Sequence, residues 1–319
     1  MLRISSLRIP LLATAISAAL GCAGPLAKSA HAETAAIAPP PLTTAQPYSS
    51  LNELEKDYRQ ATGLLFAQDD GGSLRMLCTV TAFERIGKVH RFVTAAHCLA
   101  EDDTSHDRVR VAPNDFFITF DDRDNKNFIA VKVLRAGYQH RGDDFAVLEV
   151  TLDQDVPIMP LAPNDPSLGE GVCNFASPLG LGKQLFRGHV SMERLERPLI
   201  EGEINWKGAA LLQMSSGPGS SGSAIVSTHQ KAIIAFLVGH IGARGSTPNI
   251  VAIPVSKFKK FNEEVAAGTY RWYKNEPASA TRTEDKGKMI QRIYNRIHVQ
   301  GISYQIPTEP IVLSPAVSP

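Results

Sequence analysis

The sequence predicts an all-β fold of the barrel type. Short apolar segments recur between turn residues along most of the chain. Strands of about four to eight residues at this density, separated by Gly, Pro, Asn and Asp, are typical of barrels and sandwiches. The predicted strands cover residues 77–83, 90–94, 116–120, 130–134, 145–150, 171–175, 209–214, 224–226, 233–238 and 250–253.

The composition is that of an ordinary globular protein. Of 319 residues, 43% are hydrophobic and 20% are charged, so the chain can bury one two-lobed core or two small cores. The 33 basic and 32 acidic residues nearly balance, which predicts no nucleic-acid partner. A cluster of Lys257, Lys259 and Lys260 is interpreted as the solvated face of a helix, because apolar residues repeat between them at helical spacing.

The first 32 residues have the pattern of a secretory signal peptide. Arg3 and Arg8 precede a short apolar stretch at 11–20, and Ala30-His31-Ala32 offers the small residues of a cleavage site. A membrane anchor would need about 18 uninterrupted apolar residues, which this segment lacks. We predict cleavage after residue 32 and export to the periplasm or the cell exterior, with lipid attachment at Cys22 as the alternative.

A linker and two helices complete the local predictions. Residues 33–50 are rich in Ala, Pro and Thr and include three consecutive prolines, which predicts a flexible linker. The polar segment 52–60 is a helix candidate. A second helix is predicted at 256–268, with Ser256 as its N-cap and Gly268 as its stop signal.

Three separate motifs carry residues suited to nucleophilic catalysis. His97 follows an apolar strand, Asp143 and Asp144 precede another, and Ser221 lies in a glycine-rich loop. A serine hydroxyl needs a base within hydrogen-bond reach, and a carboxylate must hold the tautomer of an imidazole that serves as that base. The chain order His, Asp, Ser differs from the orders Asp, His, Ser and Ser, Asp, His of two other hydrolase architectures. Ser220 is the competing nucleophile, although Ser221 has the flanking glycines.

These motifs resemble those of the trypsin-like serine peptidases of the chymotrypsin fold, and are closest in character to the bacterial glutamyl endopeptidase and HtrA branches. The motifs occur in the family's order, together with segments like those of its second barrel. Their joint occurrence is a strong signal where one motif would be weak. The matching segments are Thr94-Ala95-Ala96-His97-Cys98, Asp144-Phe145-Ala146-Val147-Leu148, Gly219-Ser220-Ser221-Gly222-Ser223, 176–182 with 187–191, and 251–255.

The resemblance implies two six-stranded antiparallel Greek-key barrels followed by a C-terminal helix. The peptidase domain would span residues 51–268, with the first barrel at about 60–160 and the second at about 168–255. Residues 269–319 do not resemble the family and show no sign of the PDZ module of HtrA enzymes. We expect a partly disordered extension there, with an apolar helical face possible at 290–297.

The resemblance also implies the roles of the site residues. His97, Asp144 and Ser221 would be catalytic, and Asp144 is preferred over Asp143 because it directly precedes the strand, as in the family. The backbone amides of Gly219 and Ser221 would form the oxyanion hole, since glycine lets the backbone approach a substrate carbonyl closely.

The family closes its histidine loop with a disulfide, and Cys78 and Cys98 occupy the matching positions. Export would place these cysteines in an oxidising compartment. Cys173 would then be reduced and buried in its strand as a small apolar residue. No cofactor and no metal are expected, because the other histidines lack the spacing of a metal site.

Substrate selectivity is predicted from a few candidate pocket positions. In the family, the residue six positions before the nucleophile lines the pocket base; here it is Ser215, whereas an Asp would select Arg or Lys. Cleavage after basic residues is therefore disfavoured. Val238, Gly239 and His240 are further pocket candidates. His240 lies near the position of a pocket histidine in glutamyl endopeptidases, with a packing role as the alternative.

We therefore expect an exported serine endopeptidase that acts on protein or peptide substrates through an acyl-enzyme. The alternative is a catalytically silent trypsin-fold module that binds a protein partner. Trypsin zymogens are activated when a new N-terminal amine pairs with the Asp before the catalytic serine. Ser220 occupies that position here and cannot form the ion pair, so activation by such a cleavage should be unnecessary.

Overall fold

The computed structural model describes residues 51–69, 71–104, 108–112, 114–120, 127–196, 200–201, 204–241, 249–270 and 291. All of them belong to one compact unit of the chain. The predicted signal peptide, the linker 33–50 and nearly all of the extension after residue 270 lie outside the described residues. Among the helices of these ranges, none combines the length and the apolar character required to cross a lipid bilayer.

The N-terminal half of the described chain contains eight strands. They are β1 (Thr62–Gln68), β2 (Leu74–Ile86), β3 (Val89–Thr94), β4 (Ala100–Asp103), β5 (Arg108–Val111), β6 (Phe116–Thr119), β7 (Ile129–Ala136) and β8 (Ala146–Thr151). Six of them close into an antiparallel barrel in the order β1-β2-β3-β8-β7-β6, and β4 pairs with β5 in a separate two-stranded sheet.

The C-terminal half contains eight further strands. They are β9 (Gly171–Ala176), β10 (Gln184–Met192), β11 (Ile200–Glu201), β12 (Ile204–Asn205), β13 (Ala210–Gln213), β14 (Ala224–Ser227), β15 (Ile233–Ile241) and β16 (Asn249–Pro254). The second closed barrel has the order β10-β13-β16-β15-β14-β9, and β11 pairs with β12. The prediction of two six-stranded antiparallel barrels is confirmed.

Strand β2 lies at the junction of the two barrels. Its residues 76–83 are all buried, whereas β7 has exposed positions along its length. Alternating burial is expected where only one face of a strand meets a core, so continuous burial means that both faces of β2 are covered. The amide of Thr79 on β2 donates to the carbonyl of Ser221, which belongs to the second barrel.

Helix α1 (Glu53–Ala61) precedes the first barrel, one residue later than predicted. It begins with a capping box, in which the Asn52 side chain accepts the Glu55 amide at 2.9 Å and the Glu55 carboxylate accepts the Asn52 amide at 3.1 Å. The buried side of the helix consists of Glu55, Tyr58 and Ala61, at helical spacing. This side contacts β1 and β2 of the first barrel and β9 of the second.

Helix α2 (Val255–Ala266) follows the second barrel. Pro254 occupies its N-cap position, so the prediction that Ser256 is the N-cap is wrong. Ser256 lies inside the first turn and binds Asp165, whose carboxylate accepts the Ser256 amide at 2.9 Å and the hydroxyl at 2.6 Å. This partner comes from another part of the chain and therefore leaves no local signal. Gly268 follows the helix with a φ of 67°, which suits a C-terminal stop.

The lysines of α2 do not form one solvated face. Lys257 Nζ donates to the Lys207 carbonyl at 2.7 Å, and Lys259 Nζ donates to the Ala162 carbonyl at 2.6 Å. The predicted solvated face is correct for Lys260, which is exposed, and wrong for the other two. Long lysine stems can lie along an apolar surface and still place the ammonium group against a carbonyl.

An aromatic cluster joins α2 to both barrels. Phe145 directly precedes β8, Phe236 lies on β15, and their ring centroids are 5.7 Å apart. Phe258 of α2 lies 5.2 Å from Phe145 and 4.8 Å from Phe236, in edge-to-face or tilted geometry. The cluster fixes the backbone next to Asp144.

Candidate active site

His97 and Asp144 are brought together by two neighbouring strands of the first barrel. Strands β3 and β8 are antiparallel, with Thr94 opposite Ala146. His97 follows the end of β3 and Asp144 precedes the start of β8, so the pairing places both residues at the same end of the sheet.

The Asp144 carboxylate makes two hydrogen bonds to His97. Oδ2 lies 2.6 Å from the ring Nδ1, and Oδ1 accepts the His97 backbone amide at 2.8 Å. Asp144 is completely buried and His97 is buried as well. A single carboxylate thus fixes both the backbone and the ring of the histidine, and leaves Nε2 as the nitrogen available for proton transfer.

The neighbouring acid, Asp143, has different partners. Its Oδ2 accepts the Tyr270 hydroxyl at 3.0 Å. Burial raises the pKa of Asp143, while the Tyr270 hydrogen bond and the charges of Lys257 and Arg141 act in the opposite direction. Of the two acids, Asp144 contacts the histidine and Asp143 anchors the segment after α2.

The two serines of the glycine-rich loop differ in exposure. Ser220 is completely buried, and its hydroxyl accepts the Gly217 amide at 3.4 Å. Ser221 is half-buried, and its carbonyl accepts the Thr79 amide at 3.0 Å. The described contacts include no hydrogen bond between the Ser221 hydroxyl and His97. Such bonds are often long in a free enzyme and tighten when substrate binds.

The four consecutive amides of residues 219–222 differ in whether the described residues offer them an acceptor. The Ser220 amide donates to the Gly217 carbonyl at 3.0 Å, and the Gly222 amide donates to the Leu237 carbonyl at 2.7 Å. The amides of Gly219 and Ser221 have no acceptor within the described part of the chain. Gly219 has a φ of 94°, a backbone conformation that favours glycine.

Gly222 seats the serine loop directly against the end of the histidine strand. A Cβ atom on this residue would lie 2.2 Å from Thr94 Oγ1 and 2.5 Å from the Ala95 nitrogen. Its φ of 81° also favours glycine. The glycine after Ser221 is therefore required for the close approach of the two barrels at this point.

Thr79 of β2 bridges the barrels and was not singled out by the sequence. Its amide donates to the Ser221 carbonyl at 3.0 Å, and its hydroxyl donates to the Gly219 carbonyl at 2.9 Å. The Ser177 amide in turn donates to the Thr79 hydroxyl at 3.1 Å. A threonine inside a strand carries no signal of such a role, because the contacts join residues about a hundred or more positions apart.

The structure contains the disulfide that the resemblance implied. Cys78 and Cys98 are bonded, with their Cα atoms 6.1 Å apart and 20 positions apart in the sequence. Cys173 is a buried free thiol, and burial raises its pKa to about 12.

Within the described ranges, one group of three possible metal ligands lies near the site. Donor atoms of Cys78, His97 and Cys98 lie within 4.8 Å of one another. Both sulfurs are committed to the disulfide, and the histidine Nδ1 is committed to Asp144. Zinc binds a cysteine as its thiolate, so with both sulfurs in the disulfide this set of three residues keeps at most one ligand and does not offer a metal site.

The predicted pocket residues have unequal exposure. Ser215 is exposed, Gly239 and His240 are half-buried, and Val238 is buried in the hydrophobic core. The Val238 side chain packs in the core cluster, and its assignment to the substrate pocket stays a prediction. A Cβ atom on Gly239 would lie 2.8 Å from Trp206 Cζ2, so the Trp206 indole packs directly on this strand. The sequence did not indicate this contact.

The chain was compared with known protein families and structures. Residues 78–235 match the model of the trypsin-like peptidase domain. This segment is a trypsin-like peptidase domain. The protein is accordingly a serine peptidase, a hydrolase whose substrates are peptides or proteins. No curated protein sequence matched the chain. The assignment to a glutamyl endopeptidase or HtrA branch stays a prediction.

The solved structures that resemble the peptidase include two serine-to-alanine variants. The first is Rv3671c from M. tuberculosis H37Rv, solved as a serine-to-alanine variant in an inactive form, with a TM-score of 0.51 and 12% identity over 71% of this chain and 97% of that chain. The second is the HtrA-type protease AlgW, a serine-to-alanine variant with a tripeptide, with a TM-score of 0.50 and 16% identity over 66% of this chain. The peptidase spans 62% of the AlgW chain. At these identities the likeness is one of fold.

Proposed function

We propose that this peptidase is an exported endopeptidase that cleaves peptide bonds through His97, Asp144 and Ser221. The observation that carries the proposal is the buried Asp144 carboxylate, which binds both the ring and the backbone amide of His97. A carboxylate in this position holds the tautomer in which Nδ1 carries the proton and Nε2 accepts one.

The reaction would proceed in two steps. His97 Nε2 takes the Ser221 hydroxyl proton while Oγ bonds to the scissile carbonyl carbon, and the same proton then passes to the leaving amine as the C–N bond breaks. Water repeats the sequence on the acyl-enzyme and releases the acid. Asp144 stabilises the imidazolium in each step without taking the proton.

The oxyanion of each tetrahedral intermediate would bind the amides of Gly219 and Ser221. Neither amide has an acceptor among the residues that the structure describes, which supports this role because no described hydrogen bond has to break first. Removing one oxyanion-hole donor in related sites costs about 3 to 4 kcal/mol of transition-state stabilisation.

Export is supported by the signal-like pattern of residues 1–32 and by the Cys78–Cys98 disulfide. Disulfides persist in oxidising compartments such as the periplasm and the cell exterior, and are rare in the cytosol.

A fluorophosphonate probe tests the triad in the full chain. We expect the wild type to be labelled, the Ser221→Ala variant to be unlabelled, and the Ser220→Ala variant to be labelled, because the Ser220 hydroxyl is buried. Digestion of denatured casein should follow the same pattern. A folded wild type that takes no label would instead support the silent binding module, and labelling of Ser221→Ala would place the nucleophile elsewhere.

A further inference from the structure

Among the residues that the structure describes, none forms an ion pair with the serine loop around Ser221. Ser220, the residue before Ser221, is buried and binds the Gly217 amide. A loop of this kind must nevertheless be fixed closely, because a misplacement of about 1 Å can cost roughly 10²-fold in rate. The contacts on the inner side of the loop therefore indicate which residues hold it in place of an ion pair.

A polar cluster lies directly behind the loop. The Ser223 hydroxyl donates to the Ser220 carbonyl at 2.7 Å, and Asn174 Nδ2 donates to the Ser223 hydroxyl at 2.8 Å and to the Ala224 carbonyl at 2.7 Å. The Ala224 amide donates to the Thr81 hydroxyl at 3.3 Å. Both backbone groups of Ala224, three residues after Ser221, are thus held by buried side chains.

Tyr58 of helix α1 completes this cluster. Its hydroxyl donates to the same Ala224 carbonyl, and its side chain is completely buried. The ring packs edge-to-face on Phe175, with centroids 5.4 Å apart. A buried tyrosine hydroxyl needs a partner, and here the partner is the backbone of the strand that the serine loop enters.

The rest of α1 is docked by charges from the second barrel. Arg187 donates to both oxygens of the buried Glu55 carboxylate, at 2.7 and 2.9 Å. Lys183 Nζ donates to the Arg59 carbonyl at 3.2 Å and to the Thr62 carbonyl at 3.0 Å, at the C-terminal end of the helix. A cation at a helix C-terminus and a bidentate arginine pair both favour one fixed position of the helix.

We infer that α1 is the element that orders the serine loop, and that Tyr58 is a positioning residue for Ser221 and its oxyanion-hole amides. The inference rests on the proposed function of Ser221. It assigns to a helix inside the folded chain the task that the freed N-terminal amine performs in a trypsin zymogen. The loop is then ordered as soon as the chain folds.

The test compares Tyr58→Phe with the wild type in the full chain, using a fluorophosphonate and p-nitrophenyl acetate. The variant keeps the ring and removes the hydroxyl. We expect the rate of labelling and kcat for the ester to fall about 10- to 100-fold, with KM changed less than about twofold, because positioning affects the transition state more than ground-state binding. The end point of labelling should remain complete. Asp57→Asn, on the exposed side of the same helix, should behave as wild type.

The outcomes separate the alternatives. A merely structural role of Tyr58 would lower the labelled fraction of molecules and leave the rate of each active molecule unchanged. A wild-type rate in folded Tyr58→Phe overturns the inference. If Tyr58→Phe does not fold, Arg187→Gln, which loosens the helix from an exposed residue, should show the same selective loss of kcat, and an unchanged kcat there overturns the inference. A wild type that takes no label refutes the proposed function itself.

Discussion

Asp143 and Asp144 are adjacent acids with separate partners, so neutralising each should have a different effect. Asp144→Asn keeps the shape but can stabilise the wrong histidine tautomer, and kcat should fall about 10⁴-fold. Asp143→Asn removes a charge that binds the Tyr270 hydroxyl and should leave kcat within about tenfold of wild type. Steady-state hydrolysis of p-nitrophenyl acetate checks both variants. The assignment of the acid is wrong if Asp143→Asn is the crippling change.

A substitution at Gly222 tests the close packing of the serine loop against the end of β3. Gly222→Ala would place a Cβ atom 2.2 Å from Thr94 Oγ1 in a residue with φ of 81°. We expect it to lower the free energy of unfolding by more than about 2 kcal/mol, since left-handed strain and overpacking add. Gly87→Ala is the control: Gly87 has a φ of 62° and no neighbour within 4 Å, so it reports the backbone strain alone. Urea denaturation of both variants compares them, and equal losses would contradict the packing argument.

At the scale of elements, the disulfide fastens the histidine loop to β2. Replacing both Cys78 and Cys98 by serine opens a loop of 20 residues, and should lower the free energy of unfolding by about 3 kcal/mol in the chain-entropy description. Urea denaturation measures the loss. Peptide mapping without reduction should recover the Cys78–Cys98 pair from the wild type and from Cys173→Ala alike. Recovery of a bridge to Cys173 would refute the pairing.

The ion pair between Glu55 of helix α1 and Arg187 of β10 should make the stability of the fold sensitive to acid. Burial alone would raise the pKa of Glu55, but the bonds from Arg187 and the Asn52 amide, with the Arg187 charge, lower it below the usual 4.5. The stabilisation is therefore present above about pH 4.5 and is lost as the pH falls through the lower folded-state pKa. Glu55→Gln should show a smaller drop in Tm between pH 7 and about pH 3 than wild type. Glu53→Gln, at an exposed position of the same helix, should keep the wild-type drop.

Two barrel strands were missed from the sequence for a common physical reason. Both β1 and β10 contain a glycine where neighbouring backbone comes close: a Cβ on Gly63 would lie 3.2 Å from the Thr119 carbonyl, and one on Gly188 would lie 2.2 Å from the Gln213 carbonyl. Glycine weakens a strand pattern in the sequence and is needed where another strand approaches. The strands with continuous apolar residues, such as β8, were predicted almost to their ends.

The same distinction holds for the candidate site: residues in local motifs were predicted, and residues that reach the site through long-range contacts were not. His97, Asp144 and Ser221 stand in local motifs, and the order of the motifs was informative. Thr79 and Asn174 contact the serine loop from 140 and 49 positions away, and a single sequence does not show which residues meet across such distances. The N-terminal helix was predicted, but its attachment to the loop depends on both barrels being folded.

For the whole molecule, the chain that starts at Glu33 should be a competent enzyme without further cleavage. The helix behind the serine loop begins after Asn52, and the contacts described for it above join residues from Asn52 onward, so we expect neither the linker 33–50 nor a new terminus to be required. We expect chains starting at Glu33 and at Leu51 to label with a fluorophosphonate at equal rates. N-terminal sequencing of the labelled species checks that no further cut has occurred. A Glu33 form that is inactive until it is cut again would contradict this prediction.

The burial of Cys173 has a consequence for oxidative folding. Among the described residues, Cys173 is the cysteine outside the bridge. A thiol of this kind risks disulfide exchange, in which a thiolate attacks an existing bridge and moves it. Burial raises the pKa of Cys173 to about 12, so almost none of this thiol is a thiolate at pH 7. Once the second barrel has closed, the spare thiol no longer competes for Cys78 or Cys98. The native bridge is therefore protected from reshuffling by the packing of β9, and the period of risk is confined to the time before that barrel forms.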